Sequence, residues 1–127
     1  MLVRHLDDIT GTEHDVGGDG WRAQRHFTRR DGLGFSLSET TVEAGREMNL
    51  WYKHHQEACY VIEGRAELTE HETGAVYRIG PGDAYAPGND RHAIRVLEPL
   101  RLVCVFSPAL AGTETHDADG SYELVAD

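Results

Sequence analysis

Apolar and polar residues alternate with a period of two along almost the whole chain, and this alternation limits the possible folds more than any other feature. Phe35 and Leu37 alternate with Ser36 and Ser38, and Met48, Leu50 and Tyr52 alternate with Asn49, Trp51 and Lys53. Further runs lie at 58–62, 66–69, 75–79, 94–96 and 102–106. Successive side chains of a strand point to opposite faces, so this pattern suits half-buried strands and gives a helix no apolar stripe. Turn signals separate the runs: Asp31-Gly32, Ala44-Gly45, Glu63-Gly64, Thr73-Gly74, Pro81-Gly82-Asp83 and Pro87-Gly88-Asn89. Many short strands with such punctuation predict an all-β sandwich or barrel. Only residues 5–9 read as a short helix.

A chain of 127 residues is the size of one domain, expected here over 1–127, and can build a core without staples. The net charge of −10, from 22 acidic against 12 basic residues, disfavours nucleic acid and anionic lipid as partners. No apolar run approaches the roughly 20 residues of a membrane span. Residues 1–8 lack the apolar stretch of a signal peptide. The two cysteines, Cys59 and Cys104, each sit inside an apolar run and form no disulfide framework. These features together predict a cytoplasmic protein with free thiols.

The same periodicity tells which side chains share a face. Trp21 and Arg25 do so if residues 21–28 form a strand, as do Ser38 with Thr40, and Leu102 with Cys104 and Phe106. A barrel interior carrying Trp, Arg, Thr and Cys is too polar to be packing alone. Buried polar groups need partners, and a bound polar ligand would supply them.

Gly45, Glu57 and Gly64 are spaced in a way that resembles the first motif of the cupin superfamily, a small double-stranded β-barrel. The stretch from Pro81 through Tyr85 and Pro87 to His92 resembles its second motif. Trp51 and Lys53 stand where a typical cupin has two metal-binding histidines, so a metal would need another donor set. Glu57, Tyr85 and His92 offer a carboxylate, a phenolate and an imidazole, which suit iron or zinc and leave positions open for substrate. The plainer reading of the same residues is a solvated rim carboxylate and a core tyrosine. His54 and His55 are adjacent and point to opposite faces of a strand, so at most one, His55, reaches the interior near Glu57. In the acidic tail, Glu114 and His116 would share a face of extended chain as an acid–base pair. The alternative there is a loose, solvated terminus.

Read end to end, the chain resembles the ectoine synthase family. The resemblance runs through Met1-Leu2-Val3-Arg4, Trp21 with Arg25, residues 31–36, Glu39-Thr40-Thr41, the block from Trp51 to Ala58, and residues 60–64. It continues through Pro81-Gly82, residues 101–106 and the tail from Glu114 to Tyr122. The Trp-Tyr-x-x-His-x-Glu-Ala block and the Gly-x-Glu-x-His-Asp-x-x-Gly-x-Tyr tail are its most specific parts. The resemblance implies an Fe2+-dependent cupin, a homodimer, that closes N-γ-acetyl-L-2,4-diaminobutyrate into ectoine with loss of water. It places metal ligands at Glu57, Tyr85 and His92. It places substrate-cavity positions at Trp21, Arg25, Thr40, Tyr52, His55, Cys104, Phe106, Glu114 and His116. Arg25 then grips the substrate carboxylate, Trp21 and Phe106 wall its apolar side, and Glu114 with His116 serves as the base, with Tyr52 second. The tail, 107–127, closes the barrel mouth. The segment between Tyr85 and His92 is one residue shorter than in relatives, and Gly64-Arg65-Ala66-Glu67 replaces a more usual Gly-x-Gly-Glu. The competing readings are a non-catalytic ligand-binding cupin and another metal-dependent cupin enzyme.

Overall fold

The computed structural model describes residues 1–126. A one-turn helix α1 (Leu6–Ile9) is followed by β1 (Asp15–Gly18), β2 (Trp21–Phe27), β3 (Ser36–Val42) and β4 (Glu47–Leu50). The remaining strands are β5 (Gln56–Glu70), β6 (Val76–Ile79), β7 (Ala84–Tyr85) and β8 (His92–Ser107). All pairings are antiparallel, in the order β1-β2-β3-β8-β5-β6, with β4 on β8 and β7 on β5.

The two long strands build the barrel. From Leu100 to Phe106, β8 pairs with β3, whereas from His92 to Arg95 it pairs with β4. β5 runs beside β8 throughout, from Gln56 opposite Ser107 to Glu70 opposite His92, with register shifts between Val61 and Ala66. Each long strand therefore serves both sheets and bends between them. The bend corrects the expectation of a turn at Glu63-Gly64: the chain continues through Gly64, and the 94–96 and 102–106 runs join into β8 across Pro99. Gly64 has φ +91°, and a Cβ there would stand 2.2 Å from the Pro99 carbonyl oxygen. Such a position takes glycine because the left-handed region costs other residues about 1–2 kcal/mol before any clash. We expect Gly64→Ala to lower Tm by several degrees, read by circular dichroism. An unchanged Tm would remove Gly64 as the hinge of the two sheets.

The inward faces of the strands meet in one core cluster that includes Val61, Val96, Leu100, Leu102, Phe106 and Leu110. Tyr122, from the tail, belongs to it as well. The alternation seen at 48–52 is strand only as far as Leu50. Tyr52 and His55 reach the interior from the following loop, so the inward His55 and outward His54 are set by loop geometry and not by strand pleat. Ser107 ends β8, so the tail begins at Pro108, one residue later than expected. The tail is irregular and turns back at Asp117–Ser121, where Asp117 N–H donates to the Ser121 carbonyl, Gly120 N–H to the Asp117 carbonyl, and the Asp119 and Ser121 N–H groups to the Asp117 carboxylate. No helix among the described residues is long and apolar enough to cross a membrane.

Candidate active site

A cavity of about 40 Å³ lies inside the barrel. β2 sends in Trp21 and Arg25, β3 Ser38 and Thr40, and β8 Leu102, Cys104 and Phe106. Each set has the i, i+2 or i, i+4 spacing of one strand face. Tyr52 enters from the loop, Glu57 from β5, Tyr85 from β7, and His116 and Tyr122 from the tail.

Arg25 is 1% exposed, and its Nε and both terminal nitrogens have no hydrogen-bond partner among the described residues. Its nearest anion is Glu114, with Nη1 4.0 Å from Oε1, and its Cζ lies 5.2 Å from the centre of the Tyr122 ring. A guanidinium stripped of water without hydrogen bonds is costly, by several kcal/mol. Its free donors face a cavity.

Glu114 does not pair with His116 as extended chain would allow. Its Oε2 accepts the N–H of Ala111, and its Oε1 accepts those of Gly112 and Thr113, at 2.8 to 3.0 Å. The tail wraps around this carboxylate, which serves as a buried anchor behind Arg25 and does not line the cavity. His116 instead places Nε2 2.9 Å from the Tyr52 hydroxyl. Its ring stacks on Tyr122 at 4.5 Å and 16° and meets Trp21 edge-on at 4.8 Å. Burial, and then the Arg25 charge, push the His116 imidazole down to about 4, so it is neutral near pH 7. Burial, with Tyr122, Glu57 and Tyr85 nearby, pushes the Tyr52 phenol well up, so it keeps its proton. A neutral imidazole and a phenol in contact form an acceptor–donor pair.

Phe106 stands edge-on to Tyr52 at 5.1 Å. Behind it, the His55 ring packs edge-on to Phe106 at 6.1 Å and lies outside the cavity wall. His55 is thus a support for Phe106 in this arrangement. Trp51 and Lys53 point elsewhere: Lys53 Nζ and Arg91 Cζ lie 4.5 and 4.2 Å from the Trp51 ring, and Lys53 pairs with Asp119.

Glu57 and Tyr85 share the cavity wall, whereas His92 lies outside it, bordering with Tyr85 a separate cleft of about 510 Å³. The His92 and Tyr52 ring centres are 6.2 Å apart. Strand register alone does not set Glu57 beside His92, since they pair with Phe106 and Glu70 near opposite ends of the β5–β8 ladder. The chemistry of the three nevertheless fits a divalent cation. Glu57 Oε1 and His92 Nε2 are buried acceptors with no hydrogen-bond partner among the described residues. His92 Nδ1 lies 3.1 Å from the Asp90 carbonyl oxygen, so Nδ1–H donates there and Nε2 keeps its lone pair. That is how a metal-binding imidazole is fixed. Burial lowers His92 and raises the Glu57 carboxyl to about 7, and it pushes the Tyr85 phenol up. A cation would favour the charged forms of both acids.

The sequence reading missed Tyr122, which backs both His116 and Arg25. Its signal was an aromatic residue at the end of an otherwise acidic tail. Ser38 and Met48 also line the cavity. Cys59 and Cys104 are free thiols, as expected.

An antiparallel barrel of two bent sheets, closed around an arginine, an acceptor–donor pair, a carboxylate and a phenol, with a buried imidazole outside the cavity wall, has the make-up of a metal-binding cupin enzyme. An RmlC-like cupin from Shewanella frigidimarina shares the fold, with a TM-score of 0.61 at 21% identity over 75% of this chain and 82% of that one. The ectoine synthase family profile matches residues 1–126, and the chain belongs to that family. An L-ectoine synthase from Oceanobacillus iheyensis is 47% identical over 100% of both chains. The crystal structure of ectoine synthase from P. lautus superposes with a TM-score of 0.87 at 43% identity, covering 100% of this chain and 92% of that one.

Proposed function

We propose that the chain is an L-ectoine synthase, a hydro-lyase that closes N-γ-acetyl-L-2,4-diaminobutyrate into ectoine with loss of water. The observation that carries this reading is Arg25: a fully buried guanidinium with its donors free and turned to a closed cavity. It needs an anion, and the substrate carboxylate accepts two parallel N–H bonds from it. Glu114, held by three backbone N–H groups, steers Arg25 without occupying those donors.

The reacting amine and amide belong to one molecule, so the enzyme's task is to hold the cyclic conformer. Trp21, Phe106 and Thr40 shape the walls for it, and Cys104 adds a small soft surface. The amine nitrogen bonds to the amide carbon, the carbon–oxygen bond breaks, and the oxygen leaves as water with the two protons that the ammonium nitrogen gives up. His116, which is neutral, takes these protons in turn, and Tyr52 beside it passes them to the departing oxygen. Glu57, Tyr85 and His92 would hold the ion, Fe2+ in this reading, which when bound would supply Lewis acidity to the dehydration. The closed interior excludes water, which favours dehydration.

A cavity of about 40 Å³ has room for only a few waters, so the substrate enters by displacing part of the wall. The tail, from Pro108 onward, is the natural moving part and closes the barrel mouth. Its backbone is held to the barrel by Leu110 O with Arg29 N, Gly120 O with Trp51 N, Leu110 N with Ser36 Oγ, and the Arg29 guanidinium on the Val125 and Ala126 carbonyl oxygens, bonds that must open for substrate to enter. The family resemblance further supports a homodimer, and the free thiols suit the cytoplasm.

Iron-loaded protein should convert the acetylated diaminobutyrate to a product one water lighter, read by NMR. Tight binding with no conversion would leave a ligand-binding cupin instead. The Glu57 carboxyl near 7 sets a second expectation. The Tyr85 phenol, pushed up by burial, gives up a proton on binding throughout this range, so Fe2+ affinity should rise about tenfold per pH unit above 7, and about a hundredfold per unit below it, where Glu57 must lose a proton as well. Titrations from pH 6 to 8 whose slope does not steepen below 7 would take Glu57 out of the ligand set.

A further inference from the structure

We propose that Glu57, Cys59 and Cys104 form a second, thiophilic metal site inside the barrel, which takes soft ions of the zinc and cadmium class. Because it shares Glu57, such an ion and iron exclude each other. The sharing rests on Glu57 being an iron ligand, but the thiol site does not.

The pleat of β5 turns Glu57, Cys59 and Val61 inward together. The ladder sets Cys104 of β8 directly opposite Cys59. One donor atom from each of Glu57, Cys59 and Cys104 then lies within 4.8 Å of the other two, and all three residues are buried. The two sulfurs are 3.2 Å apart. Around a zinc-sized ion, with Zn–S near 2.3 Å, tetrahedral donors stand roughly 3.5–3.8 Å apart. The sulfurs need only part by about half an ångström, a small change of side-chain torsion. Glu57, 7% exposed, brings an oxygen with no hydrogen-bond partner among the described residues. That atom is what makes the thiol pair a site and not just a contact in the core.

Donor softness decides the occupant. Two thiolates with one carboxylate oxygen favour zinc, cadmium or cuprous ions, whereas carboxylate, phenolate and imidazole favour a harder ion. Glu57 and Cys104 border the internal cavity, so an ion arriving there meets the site directly. Both thiol protons pass to solvent on binding. Cys59 lies behind the cavity wall, so it has no part in gripping the substrate.

The test uses iron-free, full-length, reduced protein and Cd2+ alone. One ion per chain should bind with a thiolate-to-cadmium charge-transfer band in the near ultraviolet. Cys59→Ser and Cys104→Ala should each weaken binding by at least about a hundredfold, since even outer-shell losses reach that size. Glu57→Gln should keep the band with weaker binding. With iron loaded first, Cd2+ should release it one for one. A missing band in the wild-type protein, or a band that survives both cysteine changes, overturns the site. The wild-type spectrum decides this even if a variant fails to fold. Cadmium bound through thiolates while iron stays in place overturns the sharing of Glu57. Failure of iron to bind at all, with the cadmium band present, counts against the iron reading and leaves the thiol site standing.

Discussion

Arg25→Met should lower kcat/KM by about a thousandfold while leaving the protein folded, with Tm within a few degrees of wild type. The two readouts pull apart because of what Arg25 lacks. A structural arginine would be tied into the barrel by hydrogen bonds, and its loss would cost stability. Here none of its nitrogens has a hydrogen-bond partner among the described residues, and Glu114 remains satisfied by the N–H groups of Ala111, Gly112 and Thr113. Methionine fills similar space without the buried charge, and the Glu114 carboxylate left behind keeps its three N–H donors, so the loss of its distant Arg25 partner is compensated. The substrate, by contrast, loses a desolvated two-point contact to its carboxylate, and such losses run to about 3–5 kcal/mol. Arg25→Lys should recover little, because a single ammonium does not reproduce the fork. A large drop in Tm with unchanged kcat/KM in the residual folded protein would make Arg25 a structural residue.

The barrel was legible because period-two alternation is a strong local signal, and residues paired on strand faces, such as Ser38 with Thr40 and Cys104 with Phe106, met as expected. What the sequence hid was long-range. Gly64 reads as a turn residue, yet it sits beside Pro99 at the shared bend of two long strands. Nothing local separates a glycine that ends a strand from one that lets it bend. Tyr52 carried strand periodicity and lies in a loop. Glu114 looked like a base because a carboxylate and a histidine two residues apart share a face in extended chain. The tail is not extended, and three N–H groups converge on that carboxylate instead. The convergence of Glu57, Cys59 and Cys104 depended on the β5–β8 register, which periodicity alone does not specify.

His116→Ala should lower kcat by at least about a hundredfold, the lower end for removing acid–base help, with iron content unchanged and KM altered little. The imidazole touches the Tyr52 hydroxyl and no candidate metal ligand, so its loss removes a proton acceptor and leaves Glu57, Tyr85 and His92 as they are. It stays neutral at every pH where the enzyme would work, because burial and Arg25 hold it down to about 4. With iron kept saturating, wild-type kcat should therefore show no loss from His116 protonation between pH 6 and 8, and loss from that cause should set in only as pH approaches 4. Tyr52→Phe should cost a similar factor, and the double variant little more, because the two groups act as one relay. Glu114→Gln separates this arrangement from a carboxylate base. If Glu114 only steers Arg25, that change should raise KM and leave kcat within a few-fold, whereas a base at Glu114 would cost as much kcat as His116→Ala. Equal kcat losses in the Glu114→Gln and His116→Ala proteins would return the base to Glu114 and leave Tyr52 and His116 as packing around it.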